Sequence, residues 1–157
     1  MSKLEENKNV VEEIFKELSG KIGLEVSYEV VVDEENEAIK IEIEAGDQAG
    51  LLIGNRGETL YSLQTVIGMI VMNKIGEWVR IIINVDDWRD RQEERLEGLA
   101  TQTAERALET GEEQRLYNLK ASQRRIIHMA LKENKKVETE SSGEGRDRYL
   151  VIRPKKK

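Results

Sequence analysis

At 157 residues, 38% of them hydrophobic, the chain can bury one medium core or two small ones, while the absence of cysteine and a single histidine exclude a disulfide framework and a thiolate metal site and leave little for nucleophile chemistry. No apolar run reaches the roughly 18 residues of a membrane span and the N-terminus is acidic rather than signal-like, so membrane insertion is not expected and a cytoplasmic location is. The net charge of −6 hides a division: residues 120–157 hold 12 Lys/Arg against 5 Asp/Glu, so an acidic body carries a basic, anion-facing end.

In chain order, Ser2 with Glu5 reads as a capping box. Leu4, Val11, Ile14, Phe15 and Leu18 form a helical stripe that Gly20 is expected to end. Val26, Tyr28, Val30 and Val32 alternate, and after the acidic turn Asp33–Glu37 so do Ile39, Ile41 and Ile43, which predicts an antiparallel hairpin with one wet face. Residues 46–53 suffice for about two helical turns. Leu60, Leu63, Val66, Ile67, Ile70 and Val71 then recur at three and four, predicting a long helix with one buried face. Trp78 to Val85 reads as a third strand. Asp86 and Asp87 offer cap oxygens to a helix over 88–109, whose apolar line (Leu96, Leu99, Ala100, Thr103, Ala107, Leu108) is thin and which Gly111 stops. An extended piece at 116–119, a helix over 122–132 and a hairpin of 137–141 with 149–152 around Ser142-Gly143-Glu144-Gly145 close the chain. Trp78 and Trp88 read as boundary packing.

Two stretches carry candidate chemistry. In LLIGNRGETLYSLQ (51–64), Gly54 and Gly57 bracket Asn55 and Arg56 just before the long helix. Backbone freedom, unpaired N–H groups at a helix start and the Arg56 charge together make a short anion cradle. It is not a P-loop, which needs Gly-Lys-Ser/Thr, nor a dinucleotide fingerprint, because the glycines fall at 50, 54 and 57. Taken alone, Gly-x-x-Gly is equally an ordinary bend. In QRRIIHMAL (123–131), Arg124 and His128 stand one helical turn apart on one face. A lone histidine is more often structural, here capping or pairing with Glu133. Arg125, Arg146, Arg148 and Arg153 spread positive charge over neighbouring elements, whereas Lys155–Lys157 read equally as a solvated tail.

The element order of 1–86, with Ile53-Gly54-Asn55-Arg56-Gly57 between two helices, resembles a type II KH domain. The order of 87–157, with Arg124-x-x-x-His128 and a basic hairpin, resembles the R-3-H module, so the fold class expected is α+β, α-β-β-α-α-β followed by a small α/β domain. Their tandem resembles the Jag, or SpoIIIJ-associated, family of bacterial RNA-binding proteins. The resemblance implies a regulatory protein without enzymatic activity, cofactor or metal, acting in cell elongation, division or sporulation. By the resemblance it is expected to bind single-stranded RNA, with single-stranded DNA as the related ligand. A small KH-domain protein is the implied partner, and a homodimer is a second expectation. By the same resemblance, the backbone of Gly54 and Gly57 holds phosphates, Arg56 neutralises one, and Ile53 adds apolar contact to the bases; Arg124, Arg125, His128, Arg146 and Arg148 make the second site.

Three departures stand out. Family members usually carry a further N-terminal domain and a charged linker, and neither is in this sequence. Asn55 stands where a lysine is frequent. Lys120 stands where a serine usually caps the Arg/His helix. A second reading keeps the fold but makes the chain a protein-interaction scaffold with decayed nucleic-acid surfaces; the acidic first half favours it, and the intact glycines and Arg56 oppose it. A hydrolase lacks a nucleophile–base pair or ligand cluster.

Overall fold

The computed structural model describes residues 2–156. They form two compact units that divide between Arg89 and Asp90, three residues beyond the boundary expected from the sequence.

The first unit holds helix α1 (Lys3–Lys21), strands β1 (Ser27–Asp33) and β2 (Ala38–Glu44), short helix α2 (Ala49–Ile53), long helix α3 (Glu58–Ile75) and strand β3 (Arg80–Val85). The sheet order is β1-β2-β3. β1 and β2 are the expected antiparallel hairpin, in register from Ser27↔Glu44 to Asp33↔Ala38. β3 lies parallel to β2, from Ala38↔Arg80 to Ile43↔Val85. A parallel neighbour requires a crossover, and α2, the glycine loop and α3 are that crossover, which holds the loop at the end of a packed helix. Ile39, Ile41, Ile83, Leu60, Ile67 and Phe15 are fully buried together; each such side chain contributes roughly 1.5–3 kcal/mol.

Several expectations shift. α1 runs through Gly20 to Lys21. The reversal comes at Gly23 (φ 73°), with the Leu24 amide donating to the Ser19 carbonyl at 2.9 Å. On α3 the buried line is Leu60, Ile67 and Val71, while Val66 and Ile70 are 46% and 38% exposed. At about 100° per residue, Val66 lies roughly 120° round the helix from Leu60, so a stripe containing both was too wide. α3 packs against β3 and α1, and its buried residues share one core with Val30, Ile39 and Ile41 of the hairpin. Trp78, expected to pack, is 69% exposed. The Asp86 carboxylate accepts the Ala45 and Gly46 amides at 3.2 and 3.1 Å, and Asn84 Oδ1 takes the Arg89 amide at the start of the next helix.

Helix α4 (Trp88–Thr110) begins in the first unit and continues in the second, which adds β4 (Gln114–Leu116), α5 (Ala121–Leu131), β5 (Val137–Ser142) and β6 (Tyr149–Pro154). The second sheet runs β4-β6-β5, antiparallel throughout. Leu96, Ala100, Ala104 and Ala107 pack with Ile127, Leu131, Leu150 and Ile152. Ala104 joins the expected line and Leu108, 39% exposed, leaves it. β4 lies two residues earlier than expected, because Asn118 takes a left-handed conformation (φ 58°) that a continuing strand cannot accommodate. No helix among the described residues is long and apolar enough to cross a membrane.

Candidate nucleic-acid interface

The first site is built from backbone. α2 ends where the Gly54 amide donates to the Gly50 carbonyl at 2.9 Å. Gly54 then adopts φ 71°, ψ −171°, a region open essentially to glycine alone. A Cβ there would lie 2.2 Å from Thr59 Oγ1. Arg56 is left-handed (φ 52°, ψ 30°), a conformation costing a non-glycine residue about 1–2 kcal/mol, and Gly57 follows at φ 79°. Asn55 and Arg56 are exposed at the tip, Ile53 is half-buried on the core, and Gly57 is buried. The chain thus turns three times through positive φ immediately before the 18-residue α3, whose free N–H groups and dipole favour an anion. Glu58 in the first turn of α3 opposes that preference in part.

The loop has a seat that the sequence did not disclose. A Cβ on Gly57 would come within 2.3 Å of Trp88 Cη2, so the indole lies tight against the glycine. Tyr61 meets Trp88 edge to face at 6.1 Å, and the Arg89 guanidinium sits 5.2 Å over the Tyr61 ring. Arg89 also donates to the Ile83 carbonyl at 2.7 Å and to Gln64 Oε1 at 2.6 Å, and Gln64 Oε1 accepts the Ile83 amide as well. Burial lowers the pKa of Arg89 from its ordinary value, against the opposing pull of Tyr61 and Glu42. Two residues at the start of α4 therefore lock the loop to β3. Leu51, 73% exposed on α2, is a further apolar surface beside the loop that sequence reasoning missed. On the five-residue α2 only Leu52 is buried, which leaves Leu51 outward.

The second site is built from side chains. α5 starts one residue earlier than expected, with Lys120 as its cap residue, and Gln123 Oε1 accepts the Lys120 amide at 2.8 Å. Arg124, half-buried, donates from Nη1 to the Leu119 carbonyl at 2.6 Å, which fixes the guanidinium at the helix start. His128 is exposed, and its Nδ1 bonds Thr139 Oγ1 on β5 rather than pairing with Glu133. Arg124, Arg125, His128 and Arg148 line one open depression of about 590 Å3 together with Ala121, Thr139, Ser141 and Leu150. Thr139 and Ser141 had not been singled out; their alternation on β5, facing α5, was the readable sign.

Arg146 stands apart on the exposed turn Gly145–Asp147, outside that depression. Arg153 is turned into ion pairs with Glu138 at 2.6 Å and Glu140 at 2.9 Å, which raise its pKa and, with Arg153 as the main cause, lower that of Glu138. Its charge is neutralised within the sheet. Among the described residues no group of three His, Cys, Asp or Glu is placed to hold a metal ion.

Comparison with known proteins matches both units. Residues 8–83 match the KhpA/KhpB KH domain and residues 94–154 the R-3-H domain. The chain is 33% identical over 142 residues to the RNA-binding protein KhpB of Clostridium symbiosum, covering 90% of this chain and 62% of that one. It is 33% identical over 130 residues to the protein of the same name from Bacillus subtilis strain 168 (82% and 62%), and 36% identical over 104 residues to that of Lactiplantibacillus plantarum (66% and 32%). The chain thus spans less than two thirds of the length of these relatives, all of them named as RNA-binding proteins. With a KhpA/KhpB-type KH domain followed by an R-3-H domain over nearly its whole length, the chain belongs to the Jag family.

Proposed function

We propose that the chain is a non-enzymatic, cytoplasmic regulatory protein that binds single-stranded RNA. The observation that carries the reading is the depression on α5, where Arg124, Arg125, His128 and Arg148 converge beside the hydroxyl-bearing Thr139 and Ser141. Three guanidinium groups suit phosphates, and an imidazole held by Thr139 offers a flat face to a base. The Gly54–Gly57 loop supplies the second site, where backbone amides take phosphates as KH loops do. Single-stranded DNA presents the same phosphates and bases and is a weaker ligand of the same surfaces. The relatives' printed name supports RNA as the main one. The resemblance to the family supports a role in elongation, division or sporulation.

The exposed apolar residues of α3 (Val66 46%, Met69 63%, Ile70 38%, Met72 48%) support a protein partner on that helix. A small KH-domain protein is the partner we favour, with a second copy of this chain as the competing occupant.

The test is a salt series with a single strand and a duplex of equal length. Each neutralised phosphate on a single strand contributes a log–log slope of about 0.7, so four to six contacts give roughly 3–4. Equal affinity for duplex, or a flat series, sinks the reading.

A further inference from the structure

The face of the second sheet that looks away from α4 and α5 carries an aromatic pair that neither site uses. Leu116, Leu150 and Ile152 point into the core, so strand alternation sends Arg115, Tyr149 and Val151 to the opposite face. Tyr117, one residue past β4, meets Tyr149 there, ring centroids 5.2 Å apart and planes tilted by 39°. Arg115 lies 5.6 Å over the Tyr149 ring, and the Glu113 carboxylate accepts from its Nε and Nη2 at 2.9 and 2.6 Å. That pairing raises the Arg115 pKa and fixes the guanidinium as a clamp on Tyr149 rather than as a free phosphate ligand. The tight turn at Gly143 (φ 84°) runs close beside the ring: a Cβ added there would lie 3.6 Å from Tyr149 Cδ1. Tyr149 is therefore held from two sides, and Tyr117 rests on it while remaining 55% exposed.

Position makes this pair more than surface decoration. Tyr149 follows Arg148, which lines the basic depression, and Tyr117 lies two residues before Leu119, whose carbonyl is bound by Arg124. Both rings thus lie at the same end of the sheet as the depression but on its other face, so a strand reaches both by passing round that end. The chain has only two Trp, four Tyr and one Phe. Phe15 pairs with Tyr28 and Tyr61 with Trp88 against the first core, so of the three aromatic pairs among the described residues this one alone has a mostly exposed ring outside that core. A pre-fixed exposed ring within a few nucleotides' reach of clustered guanidinium groups suits a single strand bound without base preference, because every base has a π face.

We infer that Tyr117, backed by Tyr149, is a stacking site for one nucleobase of a strand whose neighbouring phosphates lie against Arg124, Arg125 and Arg148. The inference rests on the single-strand-binding reading above and extends it to a residue outside the Arg/His motif.

The experiment uses the full chain and a ten-nucleotide single-stranded RNA, with wild type, Tyr117→Ala, Tyr117→Phe and the Arg124→Ala/His128→Ala pair. Stacking predicts at least about fivefold weaker binding for Tyr117→Ala and a change within about twofold for Tyr117→Phe. It also predicts that irradiation of strands carrying 5-iodouridine attaches the base to the tryptic peptide of residues 116–120. Unfolding curves of Tyr117→Ala separate lost stacking from lost structure: an affinity loss matched by lost stability overturns the inference. If Arg124→Ala/His128→Ala weakens binding while Tyr117→Ala does not and no label reaches residues 116–120, the stacking site is wrong and the RNA-binding reading stands. If the wild type binds no RNA, both fall.

Discussion

The two candidate sites are made of different material. At Gly54–Gly57 the functional surface is the main chain: three positive-φ residues, two positions with no room for a Cβ, and an indole filling the space beneath. On α5 the surface is side chains: guanidinium groups and one imidazole on an ordinary helix, positioned by the Leu119 carbonyl and by Thr139. A backbone site is intolerant of added atoms and indifferent to many changes of charge at a distance, and its specificity is for the shape of a sugar–phosphate chain. A side-chain site is the reverse. It tolerates substitution structurally and loses function in proportion to the groups removed.

The largest effect is expected at Gly57. Gly57→Ala combines a left-handed conformation, about 1–2 kcal/mol, with overpacking against Trp88, about 1–3 kcal/mol, so a loss of roughly 2–5 kcal/mol is expected in urea unfolding. Arg125→Ala, on an exposed position of α5, changes stability by no more than about 0.5 kcal/mol. Comparable losses for the two would break the distinction between backbone and side-chain sites.

Next comes the side-chain site itself. Arg124→Ala/His128→Ala removes a phosphate contact and a stacking face together, and at least about tenfold weaker binding to a ten-nucleotide strand is expected by fluorescence anisotropy. The same pair leaves a four-nucleotide strand on the glycine loop nearly unaffected. Some stability is also lost, about 0.5–1.5 kcal/mol, because Arg124 holds the Leu119 carbonyl. Asn55→Asp/Arg56→Asp inverts this pattern: short strands lose affinity first, while circular dichroism and the unfolding midpoint stay close to wild type, both residues being exposed.

These contrasts also explain what the sequence disclosed. Glycine spacing before an amphipathic run is a local signal, and the loop between α2 and α3 stood where it placed it. Arg124 and His128 share a face through helical spacing alone, and the structure gathers them with Arg125 and Arg148. What stayed hidden depends on partners distant in sequence. Trp88 is 31 residues from Gly57, and nothing in either neighbourhood announces that one seats the other. Asp86 reaches the amides of Ala45 and Gly46 across the sheet end and Asn84 takes the Arg89 amide, and a cap rule that sees only neighbours discloses neither. His128 pairs with Thr139 rather than Glu133 because β5 comes against α5 in the fold. Arg146 and Arg148 looked equivalent two residues apart, yet the turn at Gly145–Asp147 separates them.

A third region sharpens the comparison because it is neither kind of site. On α3, Met69→Lys places a charge in the exposed apolar face while leaving both nucleic-acid sites intact. Light scattering of the chain alone and with a small KH-domain protein is expected to show lost association with unchanged RNA affinity. Association that survives the substitution removes α3 as the docking face.

The smallest effect is electrostatic and lies away from all three. Lys40, with help from Asn36, holds the Asp33 carboxyl down to about 2 from an ordinary 3.8. A folded-state value below the unfolded one means the stabilisation is present above about pH 3.8 and is lost as pH falls through about 2. Asp33→Asn is therefore expected to be slightly less stable than wild type near neutrality, with the gap closing on acidification through that window. A gap that is constant with pH would show that the Asp33 pair does not set it.

The most direct test of the two-material account is a titration of the isotope-labelled chain with single-stranded RNA, followed amide by amide in NMR spectra. The account predicts perturbation at both places: backbone amides of residues 54–58 at the loop, and residues 120–128 with 148 around the depression. Saturation of shifts at the loop and at α5 by one strand type, absent with duplex, agrees with it. Perturbation confined to other surfaces, with the Gly54–Gly57 amides and His128 unmoved at saturation, contradicts it.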